Sequence, residues 1–103
     1  LNNNLEISEL YQVICKELDK TSLTYSHSEG AWYTWIDFDN YMSLLTAKGI
    51  KTSGQLSLTL ANDLGLVTVP AECFGSNDMA LRLSMVDHNL PEGIKKLACW
   101  LNV

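Results

Sequence analysis

The chain has 103 residues, 47% of them hydrophobic and 18% charged, which bounds it to one ordered domain with a modest core. Its formal net charge of -5 excludes nucleic acid as a partner, because phosphate neutralisation needs clustered Lys and Arg. No apolar run reaches the length of a membrane span, and no signal-peptide pattern opens the chain, so a cytoplasmic location is expected.

The first segment has helical spacing in Ile7, Leu10, Tyr11, Ile14 and Leu18, with Asn3 and Glu6 as a capping box. The polar stretch TSLTYSHSEG then breaks the pattern. AWYTWIDF, residues 31 to 38, is dense in aromatic and β-branched residues and apolar on both faces, which predicts a central strand covered on both sides. Trp32, Tyr33 and Trp35 in it are read as core aromatics.

DNYMSLLTAKG fits a short helix with Tyr41, Leu44 and Leu45 on one face and Gly49 as its stop. In TSGQLSLTLANDLG, Leu56, Leu58 and Leu60 alternate as in a strand. Thr52 with Gln55, and Gly65 at the end, favour a helix instead. LVTVP reads as a short strand stopped by Pro70. MALRLSMV alternates Met79, Leu81, Leu83 and Met85 against Ala80, Arg82, Ser84 and Val86, the signature of a half-buried strand. A last helix from about Leu90, capped by Asn89 and Glu92, would bury Ile94, Leu97, Ala98 and Leu101. The order helix, strand, helix, helix, strand, strand, helix predicts an α+β two-layer sandwich, with a small, mostly antiparallel sheet and helices on one face.

Arg82 is the only arginine among seven basic residues. Alternation turns it away from Leu81 and Leu83, between the small Ala80 and Ser84, on a face with room above the guanidinium. Two uses fit: a structural ion pair to Asp37 or Asp39, or a planar clamp on a ligand carboxylate. Asp37 and Asp39 are otherwise read as a strand end and a helix cap. The six lysines (Lys16, Lys20, Lys48, Lys51, Lys95 and Lys96) read as solvated surface charge. Cys15, Cys73 and Cys99 form no CxxC pair, and His27 and His88 lie at no metal spacing, so reduced thiols and no metal site are expected.

EGAWYTWIDF, GLVTVPAECFG and LRLSMVD, in this order and at these gaps, resemble the C-terminal small domain of class I/II aminotransferases. These are the fold-type I, pyridoxal-phosphate-dependent enzymes, and the resemblance covers roughly residues 5 to 103. It implies that the chain is the C-terminal (small) domain, over 1–103, of a larger aminotransferase, with the large cofactor-binding domain preceding it. It also implies that Arg82, as the arginine of the LRLS strand, grips the substrate's α-carboxylate while an amino group passes between an amino acid and a 2-oxo acid.

The lysine, aspartate and phosphate cradle that hold pyridoxal 5'-phosphate belong to the large domain in that family. No catalytic or cofactor-binding residue is therefore expected in this chain, and on its own it should be inactive. A homodimer is implied at full length. The same fold also serves lyases and decarboxylases, and non-catalytic effector-binding domains of regulators. An independent interaction or small-molecule-binding module of α+β architecture is a further reading. Two departures stand out: Pro70-Ala71-Glu72 where the family has Pro-Gly, and Ser28 where a proline often precedes EGA. Since alanine takes a positive φ only at a cost, a differently shaped turn is expected at Ala71.

Overall fold

A computed structural model describes the backbone of residues 2–27, 33–84 and 90–101, and the side chains of residues 9, 11–26, 33–84 and 90–101. Four α-helices cover one face of a four-stranded sheet: α1 (Asn2–Asp19), α2 (Met42–Ala47), α3 (Ser53–Leu64) and α4 (Leu90–Trp100). The strands are β1 (Thr24–His27), β2 (Tyr33–Asp37), β3 (Val69–Pro70) and β4 (Ala80–Ser84). Every neighbouring pair is antiparallel, in the spatial order β1-β2-β4-β3. The expected α+β two-layer class is the one observed, and the segments read as the two strongest strands are direct neighbours.

The helical layer follows from apolar spacing. Ile14 and Leu18 of α1, Leu56 and Leu60 of α3, and Ile94 and Leu97 of α4 are all fully buried. They close over Ile36 and Phe38 from the β2 side and over Met79, Leu81 and Leu83 from the β4 side. Burying one such side chain stabilises the domain by about 1.5–3 kcal/mol, so this layer carries the fold. Leu45 is the buried residue of α2, with Leu44 and Tyr41 half-buried beside it; Ala98 of α4 is also only half-buried.

Local signals set the boundaries of α3. The Thr52 side chain accepts the backbone N–H of Gln55 at 3.1 Å, and Gly65 ends the helix in the left-handed region at φ 68°. The Gln55 side chain reaches back to the N–H of Lys51 at 2.7 Å, one residue earlier than in a standard capping box.

Several expectations need correction. TYSH in the polar stretch is strand β1, paired along its whole length with β2 from Thr24↔Asp37 to His27↔Thr34. Its polar residues suit an edge strand with one face in water. α1 starts at Asn2, so Asn3 lies inside the first turn and not ahead of it. The segment after β2 opens with a 3-10 turn over Asp39–Tyr41 before α2 begins. Only Val69 and Pro70 of LVTVP pair as a strand. At Ala71, by contrast, the turn avoids a positive φ as expected: Ala71 is fully buried in a 3-10 turn over Ala71–Phe74, and the left-handed residue is Gly75 at φ 77°. Ser28, Trp32, Met85, Val86, His88 and Asn89 lie outside the described residues, as do the side chains of Asn3, Glu6, Ile7, Leu10 and His27.

β2 is central, as expected, but it is not covered on both sides. Thr34 and Ile36 point into the helical layer and are buried, whereas Tyr33, Trp35 and Asp37 face the other way and keep contact with solvent. The residues behind the apolar appearance of this strand thus divide between a core face and an open face.

Candidate functional site at the open sheet face

The open face is built by register. Trp35 stands opposite Arg82 across the β2–β4 ladder, Ser26 stands opposite Trp35 on β1, and Val69 stands opposite Arg82 on β3. One row of side chains therefore crosses all four strands on the side away from the helices. Beside it, Thr24, Tyr25, Ser26, Trp35 and Asp37 line a shallow hollow of about 220 Å³.

Arg82 is the cation of this face. Its guanidinium carbon lies 4.2 Å from the centroid of the Tyr33 ring and 4.8 Å from that of Phe74. Tyr33 sits opposite Ser84 in the register, one step along the diagonal from Arg82, and this brings its ring within reach. Phe74 arrives at the end of the 3-10 turn that follows β3. Its ring also meets Trp35 edge-on, with 5.8 Å between centroids and 62° between planes. Contacts of a guanidinium with aromatic faces are each worth about 0.5–2 kcal/mol, depending on how much water they exclude.

The space above Arg82 that its small neighbours suggest is therefore filled by two rings. Tyr33 and Trp35, read from the sequence as core, belong to this face, and Phe74 carried no sequence-based role at all. The signal was present: an aromatic at the end of a Pro-stopped strand, followed by glycine, is placed to fold back over the sheet.

No carboxylate pairs with Arg82 among the described residues. The ion pairs found there are Lys20–Glu17 at 2.9 Å and Lys95–Glu92 at 3.6 Å, each within one helical stretch at the surface. Asp37 accepts the N–H of Asp39 at 2.7 Å, closing the turn that ends β2. Asp37 therefore stands at the strand end as expected, whereas Asp39 caps no helix: it opens the 3-10 turn, whose N-cap is Phe38, and the candidate ion pair from Asp37 or Asp39 to Arg82 is not formed. The Arg82 Nε is buried without a hydrogen-bond partner. An unsatisfied buried donor costs about 1–3 kcal/mol, so the head group is held at this face at some expense.

The described residues do not fit pyridoxal phosphate. All six lysines are exposed on helices, turns and loops, and none stands on a strand beside Arg82. At two helix N-termini, those of α3 and α4, a carboxylate already occupies the place a phosphate would take. Glu72 lies against Gly54 in the first turn of α3, where a Cβ would collide with it, and Glu92 occupies the first turn of α4. Cys73 and Cys99 are exposed and Cys15 half-buried, all three as free thiols. Among the described residues no group of His, Cys, Asp and Glu could hold a metal ion, and no helix is long and apolar enough to cross a membrane.

Neither the family models nor the curated proteins give a match to this sequence. Solved structures do. A tetra mutant of aspartate aminotransferase from Thermus thermophilus matches 90% of the chain at a TM-score of 0.70 and 18% identity. An aromatic aminotransferase from Pyrococcus horikoshii OT3 matches 94% at a TM-score of 0.70 and 16% identity. YbdL from Escherichia coli, with a methionine aminotransferase function, matches 87% at a TM-score of 0.66 and 13% identity. The chain spans 23%, 26% and 24% of those proteins respectively, about a quarter of each. At such identities the likeness is one of fold, and the fold is that of the small domain of fold-type I aminotransferases.

Proposed function

We propose that this chain is the C-terminal domain of a pyridoxal-phosphate-dependent aminotransferase, and that Arg82 binds the substrate's α-carboxylate. One observation carries the reading: in an aminotransferase small-domain fold, the only arginine holds its head on the open sheet face with no carboxylate partner among the described residues. A structural arginine in such a position would be expected to have found an acidic partner. One that serves a ligand keeps its donors free.

The chemistry required of Arg82 is binding and orientation. A guanidinium offers parallel N–H donors to the two oxygens of a carboxylate, fixing the plane of the amino acid and hence the direction of its Cα–H bond. When bound, the cofactor supplies the electron sink for the reaction, and the groups holding it would come from a large domain of the same polypeptide. The 103-residue chain alone is expected to be inactive.

The test uses the full-length protein. Arg82→Lys keeps the charge but loses the planar fork, and should lower kcat/KM roughly 10- to 1000-fold with the fold intact. Full activity in the lysine variant overturns the reading.

A further inference from the structure

Tyr33 and Phe74 are 46% and 51% exposed, high values for aromatic rings in a domain whose core closes well elsewhere. They come from different elements, a strand and a 3-10 turn, yet both lie against one guanidinium, at 4.2 and 4.8 Å. Arg82 has no ion pair among the described residues to fix its orientation. A long side chain left free would sample many rotamers, and a ligand would have to order it at each binding event. Two rings against its head remove much of that freedom beforehand.

The ring contacts also bear on which edge of the guanidinium is available. A carboxylate can bridge Nε and one Nη from the side, or the two Nη nitrogens end-on. Nε is buried and without a partner, so the side approach is shut.

We propose that Tyr33 and Phe74 are positioning residues that hold the Arg82 guanidinium in a fixed plane and present its two Nη nitrogens, end-on, to a planar carboxylate. This rests on the reading of Arg82 as a carboxylate-binding group, and the test separates the two. The rings touch the arginine and not the reacting atoms, so they act through Arg82.

Because Arg82 is the only arginine, an isotope-labelled sample of the 103-residue chain gives a single Nε–H resonance. Ring currents from Tyr33 and Phe74 should move that resonance well away from its free-arginine position. Phe74→Leu and Tyr33→Leu should each return it part of the way, whereas Phe74→Tyr should leave it in place. Both rings are half exposed, so these changes leave the helical core untouched.

Titration with acetate should perturb the same signal, with the dissociation constant rising roughly 3- to 30-fold in the leucine variants and recovering in Phe74→Tyr. A resonance at the free-arginine position in the parent chain overturns the proposal. So does a leucine variant that keeps both the shift and the acetate affinity. A ring shift that Phe74→Leu abolishes, with no acetate response in the parent chain, upholds the aromatic hold and counts against the carboxylate reading of Arg82 alone.

Discussion

Trp35 and Arg82 face each other across the β2–β4 ladder, on the side of the sheet away from the described helices. Their immediate neighbours, Ile36 and Leu81, form the next pair in register and are buried beneath the helices. The two-residue repeat of a strand thus separates the scaffold from the site within a single residue step. The site can therefore be changed without disturbing the core.

Replacing Arg82 by Met should leave stability within about 1 kcal/mol of the parent chain. The ring contacts contribute about 0.5–2 kcal/mol each, and the orphaned Nε costs about 1–3 kcal/mol, so the terms nearly cancel. Methionine keeps the apolar stem against Tyr33 and Phe74. Urea unfolding measures this. A loss of about 3 kcal/mol or more, the cost of breaking a buried ion pair, would identify Arg82 as structural.

Asp37→Ala should cost about 0.5–1.5 kcal/mol, because it removes the acceptor for the Asp39 N–H, bonded at 2.7 Å. Asp37→Asn retains an acceptor oxygen and should recover most of the loss. Equal destabilisation by alanine and asparagine would show that the charge, and not the turn, is what this residue contributes.

The helical layer was legible because it depends on periodicity. α3 and its two ends could be read from Thr52, Gln55 and Gly65, and the alternation in MALRLSMV placed Leu81 and Leu83 in the core with Arg82 opposite. The open face was harder to read. Trp35 and Tyr33 look like core residues in composition, and they stay exposed because the described helices all lie on the other face of the sheet. β1 is polar on its open face and short, so nothing in TYSH distinguishes it from a loop until β2 pairs with it. Phe74 reaches Arg82 through the shape of a turn, which no hydrophobic pattern encodes.

Alkaline pH should weaken the domain through two phenols, those of Tyr11 in α1 and Tyr25 in β1. Tyr25 donates to Asp19 Oδ1 at 2.7 Å; that hydrogen bond, followed by burial and the neighbouring Cys15, raises its pKa well above the ordinary tyrosine value. Tyr11 is pushed up to about 12, first by its hydrogen bond with Cys15 and then by burial. The folded chain therefore keeps protons that the unfolded chain releases near pH 10. This contribution is complete below about pH 10 and is lost as pH rises through the folded values. Stability measured by urea unfolding from neutral to alkaline pH should fall less steeply above about pH 10 in Tyr25→Phe than in the parent chain. Parallel curves would remove Tyr25 from the account.

Gly93→Ala should destabilise the domain even though alanine is the better helix former. Gly93 is buried in α4, and a Cβ there would lie 2.8 Å from Cδ1 of Leu66, itself only 4% exposed. Overpacking of a closed core costs about 1–3 kcal/mol, while the helix gains about 1 kcal/mol from replacing glycine. The net expectation is a loss of about 1 kcal/mol. If the contact with Leu66 is the cause, relieving it should reverse the sign. Leu66→Val withdraws the methyl that the new Cβ meets, so Gly93→Ala in that background should be neutral or stabilising, a coupling that a double-mutant cycle in urea measures directly. Additive effects of the two changes would mean that α4 tolerates the Cβ by moving as a body. Coupling of about 1 kcal/mol would fix the α4–Leu66 contact as the limit on how closely this helix packs.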